Sequence, residues 1–307
     1  PSFTFAASAH AAVWAGAEID FCEVTDERCS LDVADLATRL DADGPVGAIS
    51  ATHVYGHPAE VETIDALAAS RGIPVVYDAA HGLGSERSGR AIGGFGAAEV
   101  FSLSPTKVVV AGEGGLVTTN DAALADAVRL GRDYGNPGDY DCQFPGLNAR
   151  MSELHAAVAL ASLADVDAHI DHRASLVDRF VRSVASVPGL RVVLPRNGDR
   201  STFKDLTVLV HAADFGLAAG DLQTALRREG IDSRRYYAPP IHQQTGYRDR
   251  WPARRPLPMT DELATMALSP PLWSHLPEAA IEGVAHAIAR IHAHAPSVVA
   301  ALRDATQ

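Results

Sequence analysis

Lys107 stands in FSLSPTKVVV, between a Ser-Pro-Thr turn and three valines, and Asp78 ends the apolar run IPVVYD. A lysine is costly to bury as a cation, and desolvation moves it toward the neutral amine. A neutral amine in an apolar surround is what Schiff-base formation with a carbonyl requires. A carboxylate at a strand end can partner the ring nitrogen of a pyridine-type cofactor that acts as an electron sink. Ser102, Ser104 and Thr106, close to the lysine, carry hydroxyls able to hold a phosphate. The same residues also allow a plainer arrangement, with Asp78 capping a loop and Lys107 reaching past its valines to solvent.

The elements that must position this pair alternate. TFAASAHAAVWAG has a helical pattern and AEIDFCEV a strand-like one; VGAISATHVYG reads as a strand running into a turn, and VETIDALAASRG as a helix closed by glycine. IPVVYD, EVFSLS and GGLVTTND read as strands, the last leading into the helix AALADAVRLGRDYG. Strands and helices at this spacing predict an α/β domain on a mostly parallel sheet, whose ligand lies beyond the carboxyl ends of the strands. The stretch from MSELHAAVAL to ASV is one long helical pattern with a possible break, read as a spine between two domains. Beyond it LRVVLP, KDLTVLVH and IDSRRYY read as strands, and AAGDLQTALRREG and the final PEAAIEGVAHAIARIHAHA as helices. The expected division is a large domain over 1–175 and a smaller α+β domain over 176–307.

The composition narrows the function. The 307 residues are 47% hydrophobic and carry a formal net charge of −12, which disfavours nucleic acid or an anionic membrane surface as a partner. Cys22, Cys29 and Cys142 make an odd count without a CxxC spacing, which suits a reduced cytoplasmic setting. No apolar window is long enough for a membrane helix. PSFTFAASAH opens on proline and reads like the middle of a fold, so an upstream strand and helix are expected. His53 and His57 lie four apart, but the Tyr-Gly-His-Pro turn spoils a common helical face, and no metal site is expected. GGFG at 93–96 lacks the strand–helix context of a dinucleotide fingerprint and reads as a hairpin turn. HIDH at 169–172 and HAH at 292–294 read as solvated helix faces, and RREGIDSRRYY as a local anion clamp or a solvated face.

HVYGHPAEV, VVYDAAHGLGS, FSLSPTK with GEGGLVTTND, FPGLNARMSELHAA and RRYYAPPIH occur in one order. Together they resemble the DegT/DnrJ/EryC1/StrS family of pyridoxal 5′-phosphate (PLP)-dependent sugar aminotransferases, of fold type I. The resemblance runs from Pro1 to the final helix. It implies that Lys107 joins PLP as an imine and shuttles the proton, that Asp78 pairs with the pyridine nitrogen, and that Ser102 contacts the phosphate. It implies that Phe5 stacks on the ring, where the bland alternative is a core phenylalanine, and that His81 lies at the ring's O3′ side. Asn148 would reach the phosphate in a neighbouring subunit, implying a homodimer with composite sites. Arg150, Tyr236, Tyr237 and His242 would line the substrate. Dehydrating relatives carry histidine at the lysine position, so Lys107 favours transamination. The family normally has a Gly-Thr or Gly-Ser helix start upstream of PSFTF, and many members have asparagine where Val108 stands. The implied reaction moves an amine from glutamate to a nucleotide-linked keto-deoxysugar, with a dTDP-4-keto-6-deoxyhexose as the expected acceptor. The alternatives are a keto-cyclitol aminotransferase and a truncated, non-catalytic remnant.

Overall fold

The computed structural model describes residues 1–42 and 44–304. Helices α1 (Ala7–Trp14) and α2 (Val33–Ala42) precede β1 (Ile49–Thr52), α3 (Val61–Ala69) and β2 (Val75–Asp78). A small hairpin, β3 (Glu86–Arg87) with β4 (Arg90–Ala91), leads to β5 (Ala98–Ser102), β6 (Gly115–Thr118) and α4 (Ala122–Gly131). Strands β1, β2 and β5 pair in parallel and β6 returns antiparallel on β5, in the order β1-β2-β5-β6. The register sets Asp78 opposite Thr52 on one side and Val100 on the other, so three carboxyl ends meet there.

Side-chain alternation explains which face is buried. Ile49, Ala51, Val75, Tyr77 and Phe101 pack with Val61, Ile64 and Ala68 of α3 in one core. Each large side chain so buried contributes about 1.5–3 kcal/mol. The GGFG segment is a turn into β5, but β4 and β5 do not pair, so it is not a hairpin. Gly96 in it has φ +59°, and a Cβ there would lie 2.6 Å from the Val75 carbonyl oxygen. Only glycine fits that approach.

The long helical pattern divides into α5 (Glu153–Leu163), started by the Ser152 side chain, and α6 (Val166–Val184). Then follow β7 (Leu190–Val192), β8 (Val208–Val210), α7 (Ala212–Phe215), α8 (Ala219–Arg228), α9 (Pro258–Met266), β9 (Ala267–Leu268), α10 (Glu278–Ala293) and α11 (Ala295–Asp304). Strands β7, β8 and β9 form an antiparallel sheet. Its core joins Leu176, Phe180 and Val184 of α6 to Leu222 and Leu226 of α8 and Ile281, Val284 and Ile288 of α10. The residue-175 division thus falls inside α6.

Three further expectations fail. AEIDFCEV is not a strand: carboxylates take the N–H groups a ladder would use, Asp20 that of Phe21, Asp35 that of Glu23, and Glu23 that of Val24. IDSRRYY makes only an isolated bridge, Arg234 with Ser269, because Arg235 turns inward to the carbonyls of Ala264, Thr265 and Ala267. That also removes Arg235 from any exposed anion clamp. Helix α10 is followed by α11 and is not the last. The histidine-rich helical stretches are only partly solvated, since His172 bonds the Leu276 carbonyl and His292 that of Phe215.

The two parts are tied by Arg87. Its buried guanidinium reaches Glu60 at 2.7 Å, Glu62 at 2.9 Å and Asp199 at 3.0 Å, and the Asp199 side chain is fully buried. Arg87→Ala leaves that carboxylate without its partner, and the expected cost is about 3–5 kcal/mol in urea unfolding. A loss under about 1 kcal/mol would show that the buried clamp is not needed.

Candidate active site

Asp78 leaves β2 where the three carboxyl ends meet, the location at which parallel sheets bind ligands. Its Oδ1 accepts the Ala80 N–H at 3.0 Å, and its Oδ2 accepts the Ser8 hydroxyl of α1 at 2.5 Å. These donors fix the carboxylate's orientation. Lys107 follows β5 on a turn closed by its own N–H to the Ser104 carbonyl at 3.0 Å, with Val108 and Val109 buried behind it. Burial lowers its proton affinity below the ordinary lysine value, and the positive charge of Lys204 lowers it further, while Asp205 and Asp78 oppose both. The net shift is toward the free amine that a Schiff-base lysine needs.

His81 belongs to the same cluster. Burial pushes its imidazole down to about 4; Asp205 and Asp78 oppose the shift, and Lys107 and Lys204 add to it. It is neutral at pH 7. Lys204 is buried and bonds Asp205 Oδ1 at 2.7 Å, and its Nζ lies 5.9 Å from the Tyr236 ring. Tyr236 is half-buried, and its carbonyl accepts the Tyr55 hydroxyl. Tyr237 is buried, stacked on Tyr55 at 6.2 Å and edge-on to Phe3 at 5.8 Å. Phe3, not Phe5, is the core phenylalanine: Phe5 is 63% exposed at the foot of α1, and its carbonyl accepts the Ser8 N–H. Ser102 ends β5, half-buried, with its Oγ facing the Ser104 N–H at 3.4 Å.

The other expected residues lie apart from this cluster. Asn148 and Arg150 are exposed on the loop after α4, where Arg150 pairs with Asp133 at 3.0 Å. Among the described residues, no hydrogen bond or ion pair joins either to Lys107, Asp78 or His81. His242 has both ring nitrogens engaged, Nδ1 with the Ser2 hydroxyl at 2.8 Å and Nε2 with Asp261 at 3.0 Å. Neither is free for a substrate. His53 and His57 are also spent inside the fold, His53 on Glu99 and His57 on Ser201. Sequence reasoning missed Ser8, Tyr55, Lys204 and Asp205. Lys204 and Asp205 carried a readable signal, a charged pair at the head of the apolar run TVLV, the same pattern that singled out Lys107.

The residues present fit PLP. An oriented carboxylate, a lysine with lowered proton affinity and an exposed aromatic ring are the donor set for a pyridine aldehyde. The buried His81 Nδ1 and Asp205 Oδ2 lie 3.8 Å apart beside this set, and neither has a hydrogen-bond partner. Such a fold and site suit a PLP-dependent enzyme. The comparisons agree: residues 1–289 match the model of the DegT/DnrJ/EryC1/StrS aminotransferase family. The chain belongs to that family. It is 32% identical over 293 residues to the UDP-N-acetyl-3-dehydro-alpha-D-glucosamine 3-aminotransferase of Acidithiobacillus ferrooxidans, covering 94% of this chain and 76% of that protein. It is 30% identical to the dTDP-3-amino-3,4,6-trideoxy-alpha-D-glucose transaminase of Streptomyces venezuelae, over 90% of this chain and 71% of that one. The crystal structure of DesI with its TDP-sugar product superposes with a TM-score of 0.92 at 32% identity, covering 99% of this chain and 76% of that one. No helix among the described residues is long and apolar enough to cross a membrane.

Proposed function

We propose that this aminotransferase moves the amine of glutamate to a dTDP-linked 4-keto-6-deoxyhexose in the cytoplasm. The observation that carries the reading is the Lys107 amine, its proton affinity lowered, in one cluster with the oriented Asp78 carboxylate. The choice of nucleotide is supported by the TDP-sugar product in DesI and the dTDP sugar of the Streptomyces relative; the Acidithiobacillus relative, with its UDP sugar, marks the competing acceptor.

PLP when bound supplies a conjugated ring that takes up the electrons of a breaking C–H bond. Asp78 holds a proton at the pyridine nitrogen, so that the ring stays electron-poor. Lys107 supplies the amine that holds the cofactor, and once free it removes and returns the proton at the reacting carbon. Phe5 offers a face for the ring, Ser102 a hydroxyl for the phosphate, and Tyr236, Tyr237 and His242 surround the sugar. In His242 that role requires it to release Ser2 or Asp261.

We further read the chain as a homodimer in which Asn148 and Arg150 serve the partner's site. That reading is supported by exposed Leu147, Leu154 and Leu160 and by helices α4 and α5, which bury no residue within the chain. The residue-175 division then separates a cofactor-holding part from one that closes over the substrate.

The test is a competition with glutamate as donor. The dTDP-4-keto sugar, a UDP-linked 3-keto sugar and an inosose are supplied together, and amino products are read by mass. The dTDP product is expected to dominate. Dominance of the UDP-linked or cyclitol product would overturn the acceptor assignment.

A further inference from the structure

The segment ahead of β8 enters the site through two residues that the family resemblance did not assign. Thr202 donates its hydroxyl to the His81 carbonyl at 2.5 Å, which pins this segment against the loop after β2. Two residues on, Lys204 occupies one oxygen of Asp205, Oδ1, at 2.7 Å. The other oxygen, Oδ2, lies 3.8 Å from His81 Nδ1. Both of those atoms are buried, and neither has a hydrogen-bond partner. A buried, unpaired donor and acceptor facing each other at this separation cost free energy that a small side-chain rotation recovers.

We propose that Asp205 is a positioning residue for His81: its Oδ2 accepts a hydrogen bond from Nδ1–H, which holds the imidazole in the Nδ1–H tautomer and leaves the Nε2 lone pair as an acceptor in the site. Lys204 aims Asp205 by holding its other oxygen. Four charged groups face the ring: Asp205 and Lys204 from the segment before β8, Lys107 from the loop after β5, and Asp78 from the end of β2. Burial and the two lysines keep the ring neutral at pH 7, so the tautomer decides whether it gives or accepts a hydrogen bond. Among the described residues nothing bonds Nε2. It is therefore available to a hydroxyl or ammonium donor bound beside Lys107 and Asp78.

This role in amine transfer rests on the proposed function, but the tautomer does not, and it can be read without cofactor. The full chain is labelled with ¹⁵N-histidine, and long-range ¹H–¹⁵N correlations are recorded at pH 7, with His81 identified by its loss in His81→Gln. The expected result is a protonated Nδ1 and a bare Nε2. Asp205→Ala is expected to move the proton to Nε2, the position a free histidine side chain favours. Asp205→Asn keeps an acceptor oxygen and is expected to retain Nδ1–H. A proton on Nε2 in the parent overturns the proposal, whether or not Asp205→Ala folds. So does an unchanged Nδ1–H in folded Asp205→Ala. Failure of the acceptor competition, with Nδ1–H intact, would instead count against the substrate assignment alone.

Discussion

Lys107→Ala is expected to lower amine transfer by about 10³–10⁴-fold or more, because the same amine holds the cofactor and moves the proton. Folding is expected to be little changed. Lys107 is only half-buried, its turn is closed by backbone bonds from its own N–H, and the valines behind it remain. The loss is chemical, so added methylamine is expected to restore part of the proton transfer in the mutant. The parent carries a pH signature. Burial and Lys204 lower the proton affinity of Lys107 from its ordinary value of 10.5, while Asp205 and Asp78 oppose them. The free base is the reactive form, so PLP attachment speeds up as pH rises. It is expected to level off at a lower pH than for a solvated lysine. Levelling at or above 10.5 would mean that the cleft does not tune the amine.

Asp78→Asn is the second large effect. The asparagine keeps an oxygen for the Ala80 N–H and can still meet Ser8, so the end of β2 is expected to hold its shape. What it loses is the negative charge that favours a protonated ring nitrogen. The expected loss is about 10²–10³-fold in turnover, comparable to removing one electrostatic contact from a preorganised site. Thermal unfolding of the cofactor-free chain is expected to be close to the parent's. Wild-type turnover in this variant would remove the carboxylate from the mechanism, whereas unfolding would make it a structural residue instead.

Lys107 and Asp78 stood out as candidates because their signals were local, and the family resemblance, not the spacing, supplied their roles. A lysine set among valines and an aspartate ending an apolar strand are each costly where they stand, and that cost is legible without coordinates. The strands of the main sheet were legible for a similar reason: VVYD and EVFS are short apolar runs between turn residues. AEIDFCEV and IDSRRYY misled because side chains, not a neighbouring strand, satisfied their backbone or drew it inward. Asp35, Glu23 and Arg235 did this through contacts that no periodicity displays. Ser8, Lys204 and Asp205 escaped for another reason. Ser8 meets Asp78 across 70 residues, and Asp205 meets His81 across more than a hundred. Only the folded chain brings them together. Phe5 shows the converse: its resemblance to a ring-stacking aromatic and its identity as a core residue were both open until its exposure excluded the core.

The most direct measurement is a visible absorption spectrum of the purified chain mixed with PLP, beside Lys107→Ala, followed by borohydride reduction and peptide mapping. The account predicts a long-wavelength band in the parent, a reduced cofactor mapped to Lys107, no such adduct in the mutant, and bleaching of the parent's band on adding glutamate. A band of equal strength in Lys107→Ala, or cofactor trapped on Lys204 in place of Lys107, would contradict it.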